Sequence, residues 1–380
     1  MHSSFNRRLA AIGESRTLAL SQKAQRLKES GVRVFDLTAG ELSFDPPADL
    51  RRAVARAAQQ GHYTPIAGDA DVREMVARAE SQKRNRTFGA EQVVLTAGAK
   101  QALAVALQTL LNEGDEVIVP TPSWVSYESQ VLLCGGVPKF VPLDPDTFDL
   151  NVRALAQQVT KKTKVIILNS PHNPTGSIFS SRALKSLASL ARTRKLWVIS
   201  DDIYESLADE KPVPHISTYL KEGVVLVNGF SKSHAVTGWR IGYLVADTDF
   251  IPGCTTIMSH TSGNVSSLSQ AAAREALRRP SPASYVRALA RRRRIATELI
   301  SQDSRLLYIK PRAGFYLFVD VSAVTKDTTA LCDTLLAQAG VALVPGEAFH
   351  APGFVRISCA ADEKQVREGI TQFIQHIHTL

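Results

Sequence analysis

The sequence predicts an α/β protein, with a large unit on a mostly parallel seven-stranded sheet and a smaller α+β unit after it. Three observations carry this. Seven short apolar runs, at residues 93–96, 116–119, 139–141, 164–169, 196–200, 224–228 and 241–246, alternate with longer amphipathic stretches. Most of these runs are continuously apolar rather than alternating, as in strands covered on both faces. Strand–helix–strand repetition is how a parallel sheet is connected. Beyond residue 280 the pattern changes to a long helical stretch followed by short strands.

Taken in order, residues 1–39 contain a helix at about 17–30 and a strand at 34–37. They are too few for a core of their own, so they are expected to pack with the C-terminal unit. Residues 40–280 form the large unit, with helices expected at 100–111, 125–134, 151–159 and 180–194. Residues 281–380 form the small unit. Its elements are a helix at 283–302, strands at 308–310 and 315–319, a helix at 328–339, strands at 341–344 and 355–358, and a last helix at 362–377.

Apolar residues make up 44% of the 380 and charged residues 21%, enough for a core and against disorder. Aliphatic runs stop at four or five residues, whereas a membrane helix needs about 20. The first residues lack a secretory apolar core, so a cytoplasmic protein is expected. Cys134, Cys254, Cys332 and Cys359 are far apart and make no C-x-x-C pair, so reduced, mostly buried thiols are expected and no metal site. Net charge is 45 − 36 = +9, which suits anionic small substrates as well as nucleic acid or lipid. The densest cluster, Arg291–Arg294, lies in a helical stretch where consecutive side chains diverge. Most of the four are therefore expected in solvent, and neither nucleic acid nor membrane is expected as a partner.

In an open parallel sheet, ligands sit beyond the carboxyl ends of the strands. Those ends are unusually furnished here. The run 93–96 leads into Ala97-Gly98-Ala99-Lys100, small residues opening a helix, where backbone N–H groups can meet an anion. Taken alone, that is also an ordinary strand-to-helix turn. The run 164–169 leads to Ser170-Pro171-His172-Asn173-Pro174-Thr175-Gly176. The run 196–200 ends at Asp201, with Tyr204 three residues on. A carboxylate at the end of a buried strand needs a cation or several donors, unless it merely caps a helix. The run 224–228 leads to Gly229-Phe230-Ser231-Lys232. A lone lysine is usually a surface charge, but one among small and apolar residues can become a nucleophilic amine. Four strands thus aim a phosphate cradle, a carboxylate, an amide and an amine at one place.

Ser231-Lys232 with Thr237-Gly238-Trp239-Arg240-Ile241-Gly242-Tyr243 resembles the cofactor-lysine signature of the class I, fold-type-I aminotransferases, and most of all the bacterial aspartate aminotransferase subgroup. Asn169–Gly176, Ser200-Asp201-Asp202-Ile203-Tyr204-Glu205, Tyr63-Thr64-Pro65, Pro122–Tyr127 and Val355-Arg356-Ile357-Ser358 extend the likeness over about residues 17–375. The resemblance implies pyridoxal 5′-phosphate carried by Lys232 as a Schiff base. Lys232 would also move the proton between substrate Cα and cofactor. Asp201 would face the ring nitrogen, Asn173 and Tyr204 the ring's 3′-oxygen, and Trp124 the ring face. Arg240, Ser231 and the backbone of Gly98, Ala99 and Lys100 would hold the phosphate, joined by Tyr63 of a neighbouring subunit, which implies a homodimer. Arg356 and the Gly40 backbone would hold the substrate α-carboxylate. Cis peptides are expected before Pro122 and Pro174.

Three segments depart from the family pattern: Leu42-Ser43, Ala313-Gly314 and 260–265. All fall near the family's substrate mouth. Residues 253–271 contain no Arg or Lys, whereas one branch of the family takes its distal-carboxylate arginine from that stretch. Lys100 and Arg16 are the substitutes, and they point to aspartate or another dicarboxylate donor exchanging its amino group with a 2-oxo acid by a ping-pong cycle. The alternatives are an aminotransferase for aromatic or other neutral amino acids, or a carbon–sulfur β-lyase on the same fold. A regulator's sensor domain would need a DNA-binding head, for which fewer than 40 residues precede the large unit.

Overall fold

The computed structural model describes residues 6–10, 12–13, 16–59 and 61–380. Its central sheet has seven strands in the order Val93–Thr96, Gly242–Val245, Val224–Gly229, Trp197–Asp201, Thr163–Asn169, Glu116–Thr121, Val137–Pro142. All neighbours run parallel except Gly242–Val245, which is antiparallel to both of its partners. That reversal matters for the site, because it brings the start of this strand, with Arg240 just before it, to the edge where the parallel strands end. The register pairs Asn169 with Asp201 and Gly229 with Gly242 along that edge.

The inner strands are buried except at Lys164 and Trp197, while the edge strand Val137–Pro142 is largely open. Helices cover both faces, as continuously apolar strands require. Helix Ser181–Arg194 shows why such helices form where they do. Ser180 caps it by accepting from the Ala183 N–H at 3.1 Å, a contact whose loss costs about 1 kcal/mol. Ala183, Leu184, Leu187, Ala188 and Ala191 recur at helical spacing and are buried. Each leucine so placed contributes roughly 1.5–3 kcal/mol. Helices Ala48–Ala57, Ala70–Arg84, Ile251–Thr261 and Ser267–Leu277 complete this unit; the strand runs gave no indication of them.

The C-terminal part holds an antiparallel sheet in the order Val344–Pro345, Phe354–Ser358, Tyr316–Asp320, Leu307–Tyr308. Strand Phe35–Asp36 pairs in parallel with Val341–Ala342, and Ala24 of helix Arg16–Glu29 is buried with Val34, Leu336 and Ala342. The strand expected over 341–344 is in fact two. Residues 341–342 bond to the N-terminal strand and 344–345 to Val355 and Arg356, so the chain changes sheets at Leu343. The helix expected over 328–339 is α-helical only to Thr334 and continues as wider turns over Leu335–Ala339. It ends at Gly340 in the left-handed region (φ 64°), where a Cβ would lie 2.5 Å from the Arg33 carbonyl.

The arginine run is corrected too. Arg291 and Arg294 are exposed, but Arg292 and Arg293 are buried. Arg292 donates to the Ala360 carbonyl at 2.8 Å and to Ser43 Oγ at 3.0 Å, while Arg293 bonds the Gly314 carbonyl and Asp209. Helix Ala283–Ile300 lies close to chain on that side, and carbonyls there satisfy the guanidinium groups. The peptides before Pro122 and Pro174 are cis, as the resemblance implies, and so are those before Pro171 and Pro212. No helix of the described residues is long and apolar enough to cross a membrane.

Candidate cofactor and substrate site

The parallel-strand ends converge on Lys232. Its amine donates to the Gly40 carbonyl and lies 5.9 Å from the Phe315 ring centre. Burial pulls its pKa down to about 8, and the positive Arg240 and Arg356 add to this against Glu41 and Asp201. A lysine with that pKa keeps a sizeable uncharged fraction near neutrality.

Asp201 is 3% exposed. Its Oδ2 accepts from the Tyr127 hydroxyl at 2.8 Å, and its Oδ1 takes only a long 3.3 Å bond from the Ile203 N–H. Burial raises its pKa to about 7, beyond what Tyr127 and the Ile203 N–H offset. No Lys or Arg is salt-bridged to it among the described residues, so the carboxylate is short of a positive partner. Tyr127 was quoted in the sequence pattern without a role. The signal that could have found it is its position one helical turn after Trp124, together with the need of Asp201 for donors.

Gly98 takes φ 82° at the start of helix Ala99–Leu110. A Cβ there would lie 2.7 Å from Arg240 Nη2, so only glycine lets this turn and the guanidinium approach. Arg240 is held by the carbonyls of Thr237 (2.9 Å) and Ala97 (3.1 Å). The first amides of the helix, at Ala99 and Lys100, have no intrahelical acceptor. With Arg240 beside them, these free amides are the kind of group that binds an anion, and Ser231, expected to join them, is buried. Trp124 is half-buried beside it, edge-on to Tyr127 at 5.3 Å, with Lys100 Nζ 5.0 Å from the Trp124 ring centre.

Asn173 Nδ2 donates to the Tyr204 hydroxyl at 3.4 Å, and its Oδ1 accepts from Arg356 Nη1 at 3.1 Å. Arg356 also donates to the Thr38 carbonyl at 2.9 Å. Its guanidinium carbon lies 4.2 Å from the Tyr316 ring centre and 4.9 Å from that of Phe349. It is 2% exposed, its Nε has no partner, and no carboxylate pairs with it among the described residues. Asn169, also without a role in the sequence reading, donates to the Asp201 carbonyl (2.9 Å) and accepts from the Asn173 N–H (2.8 Å), tying two strand ends together.

Two expected residues stand apart. Tyr63 is 97% exposed and touches none of these groups, although Thr64 beside it is anchored by Asn264 and Gln270. Arg16 opens helix Arg16–Glu29, and its side chain lies outside the described part of the structure.

The donor set fits pyridoxal phosphate group by group. It offers a cradle for a phosphate, an underpaired carboxylate for a ring nitrogen, an amide and a phenol for a ring oxygen, and an amine of lowered pKa for the aldehyde. Known proteins agree. The family model for aminotransferase class I and II matches residues 32–373. An aspartate aminotransferase of Geobacillus stearothermophilus is 38% identical over 93% of this chain and 94% of its own. A protein of Aquifex aeolicus named "Probable aspartate/prephenate aminotransferase" is 37% identical over 96% of each chain. The crystal structure of Thermus thermophilus aspartate aminotransferase with maleate superposes with a TM-score of 0.94 at 35% identity, covering 98% of this chain and 99% of that one. The chain belongs to the class I and II aminotransferases and is a pyridoxal-phosphate-dependent enzyme.

Proposed function

We propose that this enzyme moves an amino group between aspartate, or another dicarboxylic amino acid, and a 2-oxo acid by a ping-pong cycle. The observation that carries a carboxylate substrate is Arg356, a buried guanidinium that no protein carboxylate neutralises among the described residues. Isolated buried charge is costly, and a substrate α-carboxylate supplies the missing anion in the fork geometry arginine favours. Asn173 and the Thr38 carbonyl hold the guanidinium plane for it.

Bound pyridoxal phosphate supplies the electron sink for the pair left on substrate Cα. Asp201 would meet the charge of its ring nitrogen, with Tyr127 fixing one carboxylate oxygen. Asn173 and Tyr204 would hold the ring oxygen, and Trp124 would lie against the ring. Gly98, Ala99, Lys100, Ser231 and Arg240 would hold the phosphate. Lys232, uncharged once its proton is lost, would take the proton from substrate Cα and deliver it to the cofactor's reacting carbon, and the Gly40 carbonyl aims its amine.

Lys100 is our candidate for the distal carboxylate. Its pKa is lowered, first by burial and then by Arg240, and it stands against the ring of Trp124. Residues 253–271 contain no Arg or Lys, which leaves Lys100 and Arg16 as the two sequence-identified cations for that role. Maleate, the dicarboxylate in the Thermus structure, supports this class of substrate, and the Aquifex name adds prephenate as an acceptor to test. We assign residues 40–280 to the cofactor-holding unit and 281–380 to the smaller one; of the segment before residue 40, Ala24 and strand Phe35–Asp36 pack on the smaller unit, whereas Arg8 bonds Glu113 and the Leu133 carbonyl of the larger one. The exposed Tyr63 supports a homodimer in which it reaches the partner's phosphate, and four free cysteines suit the cytoplasm.

The test is a half-transamination screen that follows cofactor absorbance with each amino acid as donor. Aspartate and glutamate should react fastest. Lys100→Ala should raise KM for aspartate about tenfold, a loss near 1.4 kcal/mol, while an apolar donor changes little. Equal effects on both donors would point to the neutral-donor alternative. Release of pyruvate and ammonia from a cysteine conjugate without a 2-oxo acid would point to the β-lyase.

A further inference from the structure

Residues 200–205 face two ways. Asp201 and Tyr204 meet the groups just described, through Tyr127 and Asn173. Asp202 and Glu205, each one residue further on, enter a closed group of charged side chains instead. Arg84 Nη2 donates to Asp202 Oδ2 at 2.6 Å and stands 3.6 Å from Glu205 Oε2, while its Nη1 bonds Glu80. Ser200 Oγ donates to Asp202 Oδ1 at 2.7 Å. Glu205 also receives Asn228 Nδ2 at 3.2 Å and faces His215 Nε2 at 3.3 Å. Tyr243 donates to Glu80 at 2.6 Å. Lys83, Glu205, His215, Asn228 and Tyr243 wall a cleft of about 610 Å³, and none of Asp201, Tyr204, Asn173 or Lys232 lines it.

We propose that Arg84 is a positioning residue for the cofactor: by holding Asp202 and Glu205 together it fixes the turn that sets Asp201 and Tyr204 against the ring. This inference rests on the reading of Asp201 and Tyr204 as ring partners. The span is short. The Glu205 N–H donates to the Asp202 carbonyl at 2.9 Å and the Asp202 N–H to the Val227 carbonyl at 2.9 Å, so a shift of either carboxylate shifts the turn. Asp201 and Tyr204 sit within one residue of those anchors. Three carboxylates and two cations clustered here confer little stability over an apolar core of the same volume, because desolvation offsets the attraction. What such a cluster does supply is one defined geometry, and a catalytic group must be held to roughly 0.5 Å. Arg84 bridges both anchors from one guanidinium nitrogen, at 2.6 Å and 3.6 Å, while His215 faces the same two carboxylates at 3.9 Å and 3.3 Å. Burial opposes ionisation throughout, yet Lys83 and Arg84 hold Glu205 well below the usual carboxylate range.

The test uses holoenzyme carrying Arg84→Met, Arg84→Lys, Asp202→Asn, or Arg274→Ala as a control. Arg274 also pairs with two carboxylates, Asp69 (3.2 Å) and Asp71 (2.6 Å), in a more exposed place away from the turn. Three quantities are read: the pH midpoint of the bound cofactor's absorbance, the affinity of the apoenzyme for pyridoxal phosphate, and Tm. Arg84→Met should move the midpoint by about half a unit or more and lower kcat about tenfold, with a smaller change in KM, as expected for misplaced groups. Arg84→Lys should recover part of the midpoint shift. Arg274→Ala should change Tm only. If Arg84→Met does not fold, Asp202→Asn, which keeps the side-chain volume, decides in the same way. Folded variants with the parent's midpoint, affinity and kcat would overturn the proposal. Asp201→Asn separates the two readings: if it too leaves the spectrum unmoved, the assignment of Asp201 to the ring has failed, and not only that of Arg84.

Discussion

The two sides of the segment 200–205 differ in how their charges are settled. Behind it, Glu80, Asp202 and Glu205 share Arg84, Lys83 and His215, and nearly every polar atom has a partner. In front, among the described residues, Asp201 lacks a salt bridge, Arg356 lacks a carboxylate, and Lys232 bonds only a carbonyl. Both sides are buried, so the difference is not one of exposure. It separates charge that the protein settles by itself from charge left for something that arrives. Shifted pKa values of opposite sense mark the open side: a carboxyl raised to about 7 beside an amine lowered to about 8. Such pairs are where acid–base work is done.

Changes on the open side should therefore cost activity before stability. Lys232→Ala has the largest expected effect, a loss of transamination by several orders of magnitude, read by steady-state kinetics and by loss of borohydride-fixed chromophore. Near-normal turnover would refute the role of this lysine. Gly98→Ala comes next. Its Cβ would collide with Arg240 in a backbone conformation that favours glycine. The affinity for pyridoxal phosphate should fall by tenfold or more, on the order of 1.4 kcal/mol, with Tm of the apoenzyme little changed. Unchanged cofactor affinity would show that the cradle lies elsewhere.

The smallest effect is the pH dependence of apoenzyme stability. The folded pKa of Asp201, about 7, lies above its unfolded value near 3.9. The folded state therefore binds the extra proton between those values. Its contribution is fully present below about pH 4 and is lost as pH rises through 7. Apoenzyme Tm should fall across that window more steeply than that of Asp201→Asn, and added pyridoxal phosphate should reduce the difference. Parallel profiles for parent and variant would mean that Asp201 is already neutralised within the protein.

Much of this was legible beforehand, for a stated reason. Short apolar runs alternating with amphipathic helical stretches fit strands of a parallel sheet, so all seven strands of the large sheet could be placed, although the edge strand Val137–Pro142 is largely open. Residues at strand ends could be paired with chemistry because the ends of parallel strands share one edge. The proposed cofactor lysine, its aspartate and the glycine turn follow from that rule together with the family pattern. Other features depend on contacts between residues far apart in the chain. The split of 341–344 between two sheets needs the position of Phe35–Asp36. The burial of Arg292 and Arg293 needs the carbonyls of residues 360 and 314.

By itself the sequence determined the fold class, the place of the site and most of the groups that meet there, since those depend on local pattern and on the order of strands. Only the tertiary structure decided which charges are settled. Asp201 and Asp202 are neighbours of the same type at the end of one strand. Strand geometry turns them to opposite faces, one toward Tyr127 and the other toward Arg84, 117 and 118 residues nearer the N-terminus than the pair. Whether a buried carboxylate is a structural anchor or an invitation to a cofactor depends on what lies within about 4 Å of it, and that distance is fixed by packing.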